Sequence, residues 1–311
     1  MNTKTQAYIE LAVCQLIVGA NMAAMKFVAP LMPVYVQLEL RFLISTIILG
    51  LMQWYWAGSS FVRSSEPYRK VTRREWVCMA IMGLLGGLLF NLFMMEGIQI
   101  TSAMSAGIIV STTPAFLALF SFIFLKDILT KQKLLALMLA VTGIVILNYD
   151  VASGEASFDS GLGDLLVFLS TIPEAMYTIV GKSLGNRLKP ISVAFLVNAV
   201  NILYFAPLAL YQYQTHSVDL LNPQLWLWTM IVAAGSLQFY ILWQRGIQHV
   251  SGSTAALFIG LMPVGATLAA IICLGEEFGP YEAGGMMAVS LAILIGAGLP
   301  KGFSLRTLRT R

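Results

Sequence analysis

Charged side chains inside long apolar stretches are the residues of this chain that could do chemistry. Glu174 stands about 12 residues, or about 18 Å of helix, into such a stretch and follows Pro173. A charge at the centre of a membrane-spanning helix costs about 2.5–3.5 kcal/mol, and proline frees a backbone carbonyl that needs another partner. Glu174 is therefore either a carboxylate that binds a cation or accepts a proton along a pathway, or one member of a hydrogen bond or ion pair between helices.

Three further charges lie in two earlier stretches. Glu39 and Arg41 stand in the outer half of one stretch, and Lys26 lies near the outer end of the stretch before it. Residues two apart point in different directions around a helix, so Glu39 and Arg41 are not expected to bind one ligand together. The pattern favours structural pairs, Lys26 with Glu39 or Arg41 with a carbonyl or acid elsewhere. A ligand-facing Glu39 or Lys26 is the alternative.

Neutral polar and aromatic side chains recur on the other apolar stretches. The hydroxyls of Ser111-Thr112-Thr113-Pro114 could satisfy carbonyls freed by the proline or bind a solute. Any such residue is more often a contact between helices than a ligand contact, and only their spread over several stretches favours a site. The predicted solute-binding residues are Glu174, Tyr177, Asn21, Asn91, Thr112, Thr113, Gln238, Tyr240, Trp243 and Glu39.

Enzyme and metal-site motifs are missing from the sequence. Gly181-Lys182-Ser183 ends like a phosphate-binding loop, but Met176 stands where that motif needs glycine. There is no His-Glu-x-x-His or Gly-x-Ser-x-Gly motif, and His216 and His249 are isolated. We therefore predict no catalysis, no metal and no cofactor, so that a gradient or the solute itself must supply energy.

Ten apolar stretches carry all of these residues. A bilayer core takes about 20 apolar residues of helix, and the predicted spans are 6–28, 34–57, 75–96, 101–124, 133–149, 162–181, 191–213, 224–245, 252–274 and 282–299. The 311 residues are 58% hydrophobic and only 11% charged, whereas soluble domains carry about 25% charged residues. The fold class predicted is an all-α membrane protein with ten transmembrane helices.

Basic residues fall in alternate gaps between these spans. All of the 19 lysines and arginines except Lys26 and Arg41 lie at the N-terminus, in the even gaps or in the C-terminal tail. The odd gaps hold acids instead: Asp150, Glu155, Asp159, Asp219, Glu276 and Glu277. The positive-inside rule then predicts that both termini are cytoplasmic. The net charge of +4 comes from loops that face anionic lipid, so it does not indicate nucleic-acid binding.

The two halves of the chain resemble each other. A shift of 149 residues aligns Pro114 with Pro263 and Asp127 with Glu276, and it pairs Gly86 and Gly97-Ile-Gln with Gly235 and Gly246-Ile-Gln. Because each half holds five predicted spans, the second copy must enter the membrane from the opposite side. We predict an inverted-topology repeat of residues 1–150 and 151–311, an architecture used by many secondary transporters.

These residues resemble the drug/metabolite transporter superfamily, EamA branch. The resemblance lies in the five-plus-five spans, in Pro33 followed by Leu40-Arg41-Phe42, and in the segments 102–119 and 251–268. It implies a bacterial inner-membrane protein whose central cavity is lined mainly by the first, third, fourth, sixth, eighth and ninth helices. Pro173-Glu174 replaces an aromatic often found in the sixth helix of relatives, so the substrate is not implied.

Together the patterns predict a secondary active transporter working by alternating access. Its solute is a small polar or amphiphilic metabolite such as an amino acid or organic amine, and export is implied by the resemblance. The alternative is a channel or lipid scramblase, which would need a continuous polar stripe along one helix. The predicted partners are the solute and the lipid bilayer, with proton coupling as one energy source. Both a monomer and a homodimer are compatible with the sequence.

Overall fold

The computed structural model describes residues 3–57, 70–100, 109–110, 112–147, 161–185, 187–274 and 279–297. Helices account for nearly all of them, so the all-α class is confirmed. They are α1 (Thr3–Val28), α2 (Val34–Ala57), α3 (Arg73–Met82), α4 (Phe90–Ile100), α5 (Thr113–Leu125), α6 (Lys131–Leu147), α7 (Gly161–Ser183), α8 (Pro190–Thr215), α9 (Pro223–Gly246), α10 (Gly252–Ile259), α11 (Leu261–Ala269) and α12 (Pro280–Ala297).

Two π-helical segments extend this set. Gly83–Leu89 joins α3 to α4, and Ala270–Leu274 follows α11. Such turns leave carbonyls that lack the regular helical partner and often mark functional sites. The loop 150–160 and the acids Glu276 and Glu277 lie outside the described residues.

Among the described residues, six helical segments are apolar and long enough to cross a membrane: Val34–Tyr55, Arg73–Gly97, Gly161–Ser183, Pro190–Thr215, Pro223–Gly246 and Gly252–Cys273. Large apolar side chains are exposed on their outer faces, as at Ile47, Leu203 and Ile272. Hydrocarbon is the solvent that accepts such surfaces, so the chain is a multi-pass membrane protein. The total of ten spans and the side on which the termini lie stay predictions.

Local sequence signals explain where several helices begin. The Thr72 hydroxyl accepts from the Glu75 backbone N–H, and the Glu75 carboxylate accepts from the Thr72 N–H in return, which forms a capping box for α3. Asn222 caps α9 through the Gln224 N–H, and prolines occupy the first positions of α8 and α9.

The two halves of the chain pack against each other in matched pairs. Helix α1 packs on α9 and α11, and its counterpart α7 packs on α4 and α5; α2 packs on α8, and α6 on α12. Exchanging the helices of one half for those of the other leaves this pattern of contacts the same. Helices α1 and α11 approach each other closely at Gly19 and Gly265, where a Cβ on either glycine would overlap the opposite backbone. Only glycine permits this crossing of α1 and α11.

Candidate functional site

Glu174 lies in the middle of α7 beside a buried hydroxyl of α5. Its side chain is half-buried, and the Thr113 hydroxyl is its polar neighbour. Thr113 is fully buried, yet its hydroxyl does not meet a partner with hydrogen-bond geometry among the described residues. Glu174 forms no ion pair within the part of the chain that the structure describes. The structure thus brings two predicted residues together and leaves both with unused hydrogen-bonding capacity.

One turn further along α7, Tyr177 joins an aromatic group on α9. The Gln244 amide donates to the Tyr177 hydroxyl at 3.1 Å. Tyr177 stacks near Phe239 with ring centroids 6.5 Å apart, and Phe239 contacts Tyr240 at 5.3 Å and Trp243 at 5.9 Å. Tyr177, Tyr240 and Trp243 are buried. The three predicted aromatic residues therefore share one site.

Arg41 faces the same region from α2. The Tyr240 hydroxyl lies within electrostatic range of its guanidinium, which also stands over the Phe42 ring at 4.8 Å from the centroid. The Nε atom of Arg41 is buried without a hydrogen-bond partner. Among the described residues Arg41 forms no ion pair, and no carbonyl accepts from its Nε with hydrogen-bond geometry. The expected pairing with a carbonyl or an acid is therefore not found in the part of the chain that the structure describes.

Asn201 on α8 completes this group. It is fully buried beside the Tyr240 hydroxyl, and neither its amide nitrogen nor its amide oxygen has a partner with hydrogen-bond geometry. The Nε1 atom of Trp243 is also buried without one. We call Arg41, Glu174, Tyr177, Asn201, Tyr240 and Trp243 the central cluster.

Three other predicted residues make contacts within or between helices. The Asn21 amide donates to the Val232 carbonyl at 3.0 Å and contacts the Ser236 hydroxyl at 3.4 Å, which links α1 to α9. Asn91 donates to the Gly87 carbonyl at 2.6 Å, inside the first π-helical segment. The Thr112 hydroxyl donates to the Ile109 carbonyl at 2.6 Å. Each thus satisfies backbone groups, and a contact with solute stays a prediction.

Gln238 and Glu39 lie apart from the central cluster. Gln238 is exposed on the outer face of α9 that also exposes Leu227, Met230 and Ile231. Glu39 is half-buried, and its Oε2 atom is buried without a partner. The side chain of Lys26, its expected partner, lies outside the described residues, as does Ser111.

Two residues of the site region were missed by the sequence analysis, Asn201 and Gln244. Gln244 lies four residues after Tyr240, so helical spacing could have placed it on the same face of α9. Asn201 carries a weaker signal, since Asn198 lies three residues earlier on the same face of α8 and both are fully buried.

Glycine contacts repeat between the halves around this site. A Cβ on Gly86 would overlap Tyr177, and a Cβ on Gly235 would overlap Asn21. Likewise Gly97 touches Val167 and Gly246 touches Leu11. Gly86 and Gly235 are 149 residues apart, as are Gly97 and Gly246. Their contact residues are also evenly related, because the separation from Leu11 to Val167 equals that from Asn21 to Tyr177. Equivalent positions of the two halves therefore make equivalent contacts.

A second polar group closes one end of the helix bundle. The Asp127 carboxylate accepts from the Gly252 N–H at 2.6 Å and from the Ser253 N–H at 3.3 Å. Lys133 donates to the hydroxyls of Ser251 at 2.8 Å and Ser253 at 2.9 Å. We call Asp127, Lys133, Lys182 and the segment 247–253 the end cluster.

Lys182 ties the end cluster to α7. Its ammonium donates to the carbonyls of Ile247 at 2.7 Å and Val250 at 2.5 Å. The Gln248 amide donates to the Gly181 carbonyl at 3.0 Å. These bonds join the basic gaps after α5, α7 and α9, which the positive-inside rule places in the cytoplasm.

Comparison with known proteins agrees with this architecture. The model of the EamA-like transporter family matches residues 6–149 and again residues 161–297. The uncharacterized transporter YetK of Bacillus subtilis is 26% identical over 277 residues, which cover 88% of this chain and 81% of YetK. An uncharacterized transporter of Archaeoglobus fulgidus is 26% identical over 263 residues, which cover 84% of this chain and 91% of the relative.

A solved crystal structure shares the fold. It superposes with a TM-score of 0.75 at 17% identity and covers 96% of this chain and 100% of its own. Since the family model matches most of the sequence in two consecutive copies, this chain belongs to the EamA-like transporter family.

Proposed function

We propose that this protein is a secondary active transporter of a small polar or amphiphilic metabolite, working by alternating access through two inverted repeats, 1–150 and 151–311. The observation that carries the proposal is the matched set of contacts between the halves around the central cluster. Family membership supports transport itself, and export is proposed from the same membership. Ten spans in the inner membrane, with both termini cytoplasmic, complete the proposal.

The matched contacts support an inverted repeat in particular. Gly86 with Tyr177 and Gly235 with Asn21 are equivalent contacts on two sides of the site. With five helices in each half, an axis in the membrane plane relates them. Such an axis allows the two halves to exchange conformations, so that a site between them opens to one side and then to the other.

The end cluster supports the alternation of access. Asp127 and Lys133 belong to the first half, while residues 251–253 belong to the second. Their bonds hold the halves together at the predicted cytoplasmic end. Opening toward the cytoplasm must therefore break them, and the matching closure would form at the opposite end. The 149-residue shift relates Ser251 and Asp127 to Ser102 and Glu276, which lie outside the described residues.

Counterflow in proteoliposomes tests the proposal. A thermal-shift screen of metabolites on the purified protein supplies the solute, which is then radiolabelled. An excess of unlabelled solute inside the vesicles should accelerate uptake of external label, and the rate should saturate. A rate that rises linearly with concentration and shows no counterflow would instead indicate a channel or scramblase. Uptake under an imposed pH gradient tests proton coupling.

Topology needs a separate measurement. Single cysteines placed in the loop 150–160, on a background without Cys14, Cys78 and Cys273, should react with a membrane-impermeant maleimide only from outside the cytoplasm. Labelling from the cytoplasmic side only would contradict the predicted topology.

A further inference from the structure

We propose that Arg41 binds a carboxylate group of the transported solute, assisted by Asn201, Tyr240 and Trp243. The inference rests on the proposed transport function and specifies its substrate: the solute is an anion or zwitterion, and a simple organic amine is excluded.

The first argument is the unpaired charge of Arg41. Arg41 is half-buried with its Nε atom buried. Its guanidinium stays protonated under all physiological conditions, and a charge largely withdrawn from water needs a partner. Within the described residues Arg41 has no carboxylate partner, and its buried Nε donates to nothing. The Phe42 ring, whose centroid lies 4.8 Å from Arg41 Cζ, stabilises the positive charge. It does not supply an oxygen acceptor for the guanidinium N–H groups. The missing partner is therefore an acceptor that carries negative charge.

The second argument is the surplus of donors. The buried polar atoms without partners here are Arg41 Nε, Asn201 Nδ2 and Trp243 Nε1, all donors, against one acceptor, Asn201 Oδ1. The Tyr240 hydroxyl beside Asn201 adds a donor that can turn toward a ligand. A carboxylate offers about four lone-pair sites and no donor, and it binds guanidinium with two parallel bonds. The part of the cluster around Arg41 is therefore complementary to a carboxylate.

The third argument is the position of Glu174. Glu174 lies one turn from Tyr177 on α7, and the Tyr177 ring packs near Phe239, which in turn packs on Tyr240. Since Tyr240 is the neighbour of Arg41, Glu174 and Arg41 adjoin the same aromatic group. A solute with a carboxylate on Arg41 and an ammonium toward Glu174 satisfies both. An amino acid, rather than an organic amine, fits this pair of charges.

Matched ligands test the proposal on the full-length protein in detergent. The twenty proteinogenic amino acids are screened for stabilisation of the wild type, and each active one is compared with its decarboxylated amine and with chloride and inorganic phosphate. We expect at least one amino acid to bind, its amine to bind at least about tenfold more weakly, and Arg41→Gln to lose about 10- to 100-fold in affinity for the amino acid. Arg41→Lys should lose less, and the exposed Arg74→Gln control should bind as the wild type does.

Each result decides between distinct claims. Equal binding of amine and amino acid, unchanged affinity in Arg41→Gln, or no amino acid bound would overturn the carboxylate assignment, and so would tight binding of phosphate or chloride alone. Because removing an unpaired buried charge should not lower Tm without ligand, Arg41→Gln should be folded; a monodisperse elution profile verifies this. Saturable counterflow of an amine that Arg41→Gln does not affect would leave transport standing and reject this subsite. Arg41-dependent binding without counterflow would support this subsite and reject the proposed transport function.

Discussion

The half-buried charges of the end cluster and the buried polar atoms of the central cluster differ in how fully they are hydrogen-bonded. At the end of the bundle, the Asp127 carboxylate and the Lys133 and Lys182 ammoniums all have partners within 2.5–3.3 Å. In the central cluster, atoms of Arg41, Asn201 and Trp243 are buried without a partner.

This difference follows from what each region must contact. An unsatisfied buried polar group costs about 1–3 kcal/mol, and a ligand that completes its hydrogen bonds offsets this cost. The end cluster is complete without a ligand and holds the two halves together. The central cluster is incomplete, and this is the property expected of a binding site.

The largest expected effect comes from removing the carboxylate of the end cluster. Asp127→Ala deletes two hydrogen bonds at the start of α10. It also removes the negative charge that lies near the Lys182 ammonium. We expect stability to fall by about 2 kcal/mol, measured as a lower Tm in a fluorescence-detected unfolding assay. Asp127→Asn, which can still accept one N–H bond, should lose less. An unchanged Tm in Asp127→Ala would contradict the structural role of the end cluster.

Glu174→Gln should show the opposite balance between transport and stability. Loss of the titratable carboxylate should lower the counterflow rate about tenfold or more and weaken its pH dependence, whereas Tm should hold because an amide costs less to bury. Rates and Tm are measured on the same preparation. Glu96→Gln on the exposed end of α4 is the matched control and should transport as the wild type does. Wild-type rates in Glu174→Gln would make this residue structural or incidental.

The smallest effects come from two hydroxyl deletions of similar size. Thr113→Val removes a buried hydroxyl that has no partner of hydrogen-bond geometry among the described residues. The free energy of unfolding should therefore stay unchanged or rise by up to about 1 kcal/mol. Ser253→Ala removes an acceptor of Lys133 and should lower stability by about 1 kcal/mol. Shifts of the same sign in the two variants would remove the contrast between the clusters.

Much of the helix arrangement could be predicted from the sequence, since long apolar runs and their breaks depend on local residues. The predicted span 34–57 coincides with α2 (Val34–Ala57), and Pro223 begins α9 one residue before the prediction. The π-helical segments could not be predicted, because a π turn depends on packing: Gly87 lies against the Asn201 amide of α8. The 149-residue shift also relates Gly86 to Gly235 and Gly97 to Gly246, which make similar contacts, and the inverted repeat stays a prediction.

The site was harder to predict than the helices. Membrane helices are apolar on most faces, so the sequence does not distinguish a polar side chain that faces lipid from one that faces the interior. Gln238 is a predicted solute-binding residue but lies on the outer face, whereas Gln244, six residues later, donates a hydrogen bond to Tyr177. Arg41 was given a partner within the protein because nothing in the sequence shows that α2 places it opposite Tyr240 rather than near an acid.

The crossing of α1 and α11 has a mechanical consequence. At Gly19 and Gly265 two main chains from different halves touch with no side chain between them. At such a point the two helices can rotate about each other with little change in packing. Separating them would expose peptide groups to hydrocarbon. If the two halves rotate relative to each other, the Gly19–Gly265 contact moves least. A larger side chain at either position would therefore disturb the packing in every state of the transport cycle.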